Sequence, residues 1–202
     1  MAGGYSEPVN DGRVERDGVP SPVGGTPGGG RSVSVPPGID TTVALGSNLG
    51  ARLDILQGAV TAIAAIAGVT VTAVSPVYET VPVGGPDQPD YLNAVLLART
   101  TLPPRDLLRQ LNEIEAAFDR VREVRWGPRT LDLDIITYEG VTSDDPGLSL
   151  PHPRAHERAF VLAPWHDVDP AAVLPGRGQV AALLAAAGDG GIRRAQEELS
   201  LP

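Results

Sequence analysis

The 202-residue chain contains no cysteine and no lysine. The first absence excludes disulfides, thiolate nucleophiles and cysteine-built zinc sites. The second excludes a P-loop lysine, a Schiff-base lysine and the strand lysine of protein kinases. All 16 basic residues are arginine, so a bound polyphosphate must be gripped by guanidinium groups, metal ions or backbone N–H groups. No apolar run approaches the roughly 18 residues a membrane helix needs. The N-terminus has no basic-then-apolar signal pattern, so the expectation is a cytoplasmic chain that does not enter a membrane. A positive surplus is missing too. The net charge of −9 opposes a general nucleic-acid or membrane-surface binder.

The length fits one domain, or one domain with a tail. Residues 1–38 hold Gly-Gly, Gly-Gly-Gly and Pro-Pro runs with almost no aliphatic pattern. They are predicted to be disordered, because they cannot bury enough surface to offset their ordering entropy. Residues 39–202 are predicted to form one domain. "TTVALGSNLG" reads as a strand and turn, with Asn48 offering a helix cap. Leu53, Leu56, Val60 and Ile63 mark a helix over 51–67 that Gly68 ends. "VTVTAVSPVYET" is an alternating strand, bulged at Pro76. "YLNAVLLART" is another strand. Pro103 and Pro104 open a helix running to about Asp119, "TLDLDIITYE" is a fourth strand, and a last helix is expected near 179–187. The order strand, helix, strand, strand, helix, strand predicts an α+β, ferredoxin-like βαββαβ core. Its antiparallel sheet would carry helices on one face, with C-terminal additions. The other face is left to build a site.

Residues two apart on a strand share a face. Leu131, Leu133 and Ile135 can therefore face the helices while Asp132 and Asp134 face the open side. Paired carboxylates are hard oxygen ligands that suit Mg²⁺, which also takes phosphate oxygens and water. Alone, the D-x-D pair fits solvated aspartates equally well. Its context is a run with Arg120, Arg122, Arg125 and Arg129 inside ten residues. Guanidinium groups grip phosphate bidentately. Arginine at a helix end also complements the dipole, which accounts for Arg120 and Arg122 but not for Arg125 and Arg129. Trp126 either plugs the core edge or covers a bound ring. Tyr91 and Asn93 share a strand face, one a stacking surface, the other an amide able to pair with a purine or pterin edge. Pro153 breaks any helix joining His152 and His156, so a zinc pair is not expected there. His152, Arg154 and Arg158 suit phosphate instead.

Four blocks occur in order over residues 41–185: "ALGSNLG", "SPVYETVPVGGPDQPDYLNAV", "RWGPRTLDLDII" and "LPHPRAHERAFVLAP". In these the chain resembles the 6-hydroxymethyl-7,8-dihydropterin pyrophosphokinase family of folate biosynthesis. The resemblance implies transfer of pyrophosphate from ATP to the pterin hydroxymethyl oxygen, releasing AMP. It implies two Mg²⁺ ions on Asp132 and Asp134, and a closing loop carrying Arg120 and Arg122. Arg129, His152 and Arg158 match phosphate contacts. Asn112, Glu115, Trp126 and Ile135 match positions bordering ATP. Tyr91 and Phe160 match rings that sandwich the pterin, with Trp126 at its edge. Asn93 matches the amide partner, and Thr80, Val81, Pro82 and Val83 match the pocket lining. ATP and the pterin would be the only partners of a monomer. Glu123, Gly147, Pro153 and the "VPV" at 81–83 depart from residues some members carry, which bears on individual ATP contacts. A ligand sensor on the same fold would not need two carboxylates facing four arginines. A Mg²⁺-dependent nuclease could use the D-x-D pair, but the net charge opposes it.

Overall fold

In the computed structural model, which describes residues 38–82, 88–118, 130–188 and 190–202, side chains alternate along the strands and sort to two faces. The elements in order are β1 (Ile39–Ser47), α1 (Arg52–Ala64), β2 (Val69–Val74), β3 (Tyr78–Thr80), β4 (Tyr91–Thr100), α2 (Pro104–Ala117) and β5 (Asp132–Tyr138). The short pair β6 (Ser143–Asp145) and β7 (Leu148–Leu150) follows, then α3 (Ala159–Val168), β8 (Val173–Leu174), β9 (Gly178–Gln179), α4 (Val180–Ala187) and β10 (Arg193–Arg194). The predicted tail, apart from Gly38, lies outside the described residues.

The main sheet runs β10-β3-β4-β1-β5, with β2 also on β4, and every pairing is antiparallel. β2 and β3 are the single strand expected over 69–80, interrupted at residues 75–77. There the Ser75 hydroxyl accepts the Val95 N–H at 2.9 Å, beside Pro76, which has no N–H to give to a ladder. Counted as one strand, they complete the predicted ferredoxin-like order.

Val43 and Leu45 of β1 pack with Leu56, Val60, Leu107 and Leu111 of α1 and α2. Leu131, Leu133 and Ile135 lie in the same layer, as alternation required. The opposite face is not left open along its whole length. Val95 and Ile136 are buried there with Val161, Leu162 and Trp165 of α3 and Val180 of α4. α3 gives no readable amphipathic stripe, because residues from Ala159 to Trp165 are buried almost without interruption around an internal Pro164. The site is confined to the part of this face that α3 and α4 leave uncovered. Asn48 also differs from expectation. α1 starts from Ala51 without a side-chain cap, while the buried Asn48 amide donates to Gln88 Oε1 at 3.0 Å and the Pro89 carbonyl at 3.1 Å. It ties the loop before β4 to the end of β1.

The register of β1 on β5 slips between Thr42 and Val43. This bulge resets the alternation, so Tyr138 joins the helix-covered layer and donates its hydroxyl to the Leu102 carbonyl at 2.6 Å. At the other edge of the sheet, the C-terminal segment forms a strap. β10 pairs with β3, the Ala195 N–H reaches the Val77 carbonyl at 2.8 Å, and Leu199 enters the core. Gln57 of α1 exchanges two hydrogen bonds with the Ser200 backbone at 2.9 and 2.8 Å.

Glu79 joins strap to sheet. It accepts from Arg52 at 3.1 Å and from Arg193 at 3.1 and 2.6 Å. The Arg193 hydrogen bond, opposed by burial and aided by Arg52, holds the Glu79 carboxyl below the usual carboxylate range. A depressed pKa contributes stability that is present above the unfolded value and lost as pH falls through the folded one. Glu79→Gln is expected to lower Tm near neutral pH by about 2–4 °C. Thermal melts from pH 7 down to pH 3 check this: the gap to the parent closes in acid, and a pH-independent gap would contradict the role of the charge.

Candidate functional site

Neighbouring strands deliver the site in two adjacent rows across the sheet. Gly46 of β1 lies opposite Asn93 of β4 on one side and Asp132 of β5 on the other. Thr80 of β3 lies opposite Tyr91. All five face the uncovered part of the sheet and line a cavity of about 280 Å³. Arg158 and Phe160, at the start of α3, form part of its far wall. The structure thus brings together Thr80, Val81, Pro82, Tyr91, Asn93, Asp132, Asp134, Arg158 and Phe160.

One end of the cavity carries an amide, a hydroxyl and an aromatic ring. The Asn93 amide donates to the Thr80 hydroxyl at 2.9 Å, and both side chains are buried. This bond fixes the amide orientation and turns Oδ1 toward the space over Gly46, where a Cβ would stand 3.4 Å away. The same Cβ would stand 3.9 Å from both the Tyr91 ring and the Asp132 Cβ. Gly46 has ordinary strand backbone, so what its lack of a side chain provides here is space, as glycine inside a strand often does. The Tyr91 hydroxyl reaches Gln88 Oε1 at 3.4 Å. The Arg158 guanidinium sits 5.6 Å from the Phe160 ring centroid, within cation–π range.

The other end is charged. Asp134 Oδ2 lies 3.7 Å from Arg158 Nη1 and 3.9 Å from His152 Nε2. The His152 N–H bonds the Ile136 carbonyl at 2.8 Å, which docks the residue onto β5. Its Nδ1 accepts the Arg154 N–H at 3.2 Å. Burial, with Arg158 adding to it and Asp134 opposing, holds the imidazole below its usual range. A neutral ring accepting at Nδ1 carries its proton on Nε2, the nitrogen facing Asp134.

Among the described residues no group of three or more metal-ligating side chains occurs. Asp132 and Asp134 form a set of two carboxylates on neighbouring same-face positions. That set suits Mg²⁺, which keeps waters and takes phosphate oxygens, and does not suit an all-protein cage.

Three expected positions stand apart from the cavity. Ile135 is packed in the core layer. Asn112 is exposed on α2 and lines a separate groove with Arg105 and Arg109. Glu115 is 2% exposed and accepts the Leu133 N–H at 2.8 Å, between the two aspartates in sequence. Val83, Arg120, Arg122, Trp126 and Arg129 lie outside the described residues. Gln88, Glu157 and Ile192 line the cavity without having been expected there. Gly46 was legible in principle as a glycine inside an otherwise aliphatic strand. A larger groove of about 580 Å³ lies at the start of α1. Its Arg52, Glu79 and Arg193 are paired with one another, and it holds none of the chemistry described above.

A model of the 7,8-dihydro-6-hydroxymethylpterin-pyrophosphokinase family matches residues 42–170. A Bacillus subtilis protein named 2-amino-4-hydroxy-6-hydroxymethyldihydropteridine pyrophosphokinase is 48% identical over 126 residues, covering 62% of this chain and 75% of its own. The protein of the same name from Pseudomonas aeruginosa is 44% identical over 152 residues, covering 75% of this chain and 94% of its own. Among solved structures, Plasmodium falciparum HPPK-DHPS, wild type with pterin and p-hydroxybenzoate, superimposes with a TM-score of 0.59 at 14% identity. The match covers 80% of this chain and 46% of that one. A triple mutant of the same protein gives 0.58, covering 77% and 47%. This chain spans less than half of those solved chains, and the likeness to them is one of fold.

Gly46→Val would place methyl groups among Tyr91, Asn93 and Asp132. Titration with a dihydropterin, followed by its fluorescence, is expected to show affinity reduced at least about tenfold, with Tm changed by only a few degrees. Unchanged affinity would place the ring elsewhere.

Proposed function

The chain belongs to the 7,8-dihydro-6-hydroxymethylpterin-pyrophosphokinase family, and on that premise we propose that it moves the terminal pyrophosphate of ATP onto 6-hydroxymethyl-7,8-dihydropterin. The observation that carries this reading is the two-ended cavity. An amide oriented by Thr80, in a lining that also holds Tyr91 and Phe160, lies at one end, and two same-face carboxylates near a histidine and an arginine lie at the other.

In the proposed reaction the acceptor hydroxymethyl oxygen attacks the β-phosphorus in line. A bond forms from that oxygen to the β-phosphorus, and the bond from the β-phosphorus to the α,β-bridging oxygen breaks. The hydroxyl proton goes to solvent and AMP leaves. Asn93, held by Thr80, pairs with the ring edge, while Tyr91 and Phe160 cover its faces. Positioning and charge stabilisation account for most of such a transfer. Arg158 supplies charge at the phosphate end, and His152 supplies a neutral N–H donor there. Asp132 and Asp134 would hold two Mg²⁺ ions, which offset the polyphosphate charge and lower the pKa of the acceptor hydroxyl.

Through the family resemblance Arg120 and Arg122 are assigned to closure over the phosphates, Trp126 to the same loop at the pterin edge, Arg129 to phosphate contact, and Asn112, Glu115 and Ile135 to the ATP border. Glu115 would act from beneath, by fixing Leu133. The reading is of a single catalytic domain over 39–202, working as a cytoplasmic monomer with no nucleic-acid partner. Among the described residues no helix is long and apolar enough to cross a membrane.

AMP formation, followed by chromatography, is expected when ATP, Mg²⁺ and the hydroxymethyl-dihydropterin are all present, and not when the acceptor is left out. No AMP with the complete mixture would end the reading. Asp132→Asn with Asp134→Asn is expected to reduce kcat by about a thousandfold or more while dihydropterin binding persists. Undiminished turnover would remove the metal assignment.

A further inference from the structure

The family model ends at residue 170, yet the cavity wall does not. Ala187, Gly190 and Ile192 also line it. Ile192 immediately precedes β10, in which Arg193 pairs with Glu79 and Arg194 with Tyr78. One antiparallel step further sets Ile192 against Thr80. Residues opposite each other in an antiparallel pair point to the same face. Ile192 thus extends, beyond the edge of β3, the row formed by Thr80 and Tyr91, which adjoins the row of Asn93, Gly46 and Asp132.

The strap holds this position firmly. Arg193 is bound to Glu79 on one side of the strand. Arg194 lies 3.5 Å from Asp167 of α3, and Tyr78 donates to the same carboxylate at 2.8 Å. Leu199 is buried further along. Among these anchors Ile192 is an aliphatic side chain whose neighbours in the row are polar or aromatic. It is half-buried and lines the cavity.

We propose that Ile192 is a contact residue for the acceptor ring, and that the C-terminal strap sets the size of ring the pocket admits at its β3 end. The inference rests on the acceptor reading above. A branched aliphatic group at the end of a slot discriminates by shape. It fills the space beyond a ring of the right length and meets a longer one with a clash. Because the strap is anchored to β3 and α3, and not to β5, its contribution belongs to acceptor binding and not to the phosphate end.

The test is steady-state kinetics on the full chain with Ile192→Ala, Ile192→Val and Ile192→Leu, each with a melt. Ile192→Ala is expected to raise the acceptor KM about tenfold, with kcat and the ATP KM within about twofold of the parent. Ile192→Val is expected to raise it about twofold, which keeps the test informative if the alanine variant does not fold. Ile192→Leu should restore most of the affinity. An unchanged acceptor KM in the folded variants, or an ATP KM that rises in parallel, overturns the inference. If the parent chain forms no AMP, the catalytic reading fails on its own. Fluorescence titration of the parent and Ile192→Ala with the dihydropterin then decides the wall contact separately, with equal affinities counting against it.

Discussion

A hydrogen bond from the Leu133 amide to the Glu115 carboxylate fixes where the charge of this molecule can gather. Glu115 is the only carboxylate buried among the described residues. A buried charge is tolerated only where it is hydrogen-bonded, and a bond to a charged group is worth about 1.5–3 kcal/mol. Here the bond joins α2 to the start of β5 at the residue separating Asp132 from Asp134. With Leu133 held inward on both its amide and its side chain, alternation leaves the two aspartates no choice of face. The two carboxylates are thereby held on one face of β5, with Arg158 3.7 Å from Asp134.

The rest of the cavity follows from the same logic of strand rows. Each strand gives the floor one or two residues, and their types change smoothly from aliphatic at the strap, through amide and hydroxyl, to carboxylate on β5. The bare backbone of Gly46 keeps the middle of the floor flat. α3 and α4 pack over much of the face, and among the described residues the cavity lies beside them. Chemistry and fold are separated by little more than the side of the strand on which a residue falls.

Much of this was readable from residue order. The period of two in "TLDLDII" placed the aspartates correctly, and the spacing of Tyr91 and Asn93 placed both in the cavity. The βαββαβ order followed from helical and strand periods alone. What periodicity could not show was set by tertiary packing. α3 is buried nearly all round, so it has no stripe to betray it. Asn48 looked like a cap because caps are read locally, but its amide was claimed by a loop forty residues away. Asn112, on α2, took the outward side of the helix. Ile192 sits just before a strand of two residues, Arg193–Arg194, that pairs with the edge of β3.

That two-residue strand has a wider effect. An edge strand exposes a row of unpaired N–H and C=O groups, and such a row is a template for another chain. β3 is short and interrupted upstream by Pro76, and β10 covers its remaining edge. The molecule thus covers the edge of β3 with its own C-terminal segment. When the strap lets go, the backbone it covered becomes available to a second molecule, and sheet-to-sheet association competes with refolding. The segment that lines the cavity therefore also covers the β3 backbone against pairing with another chain.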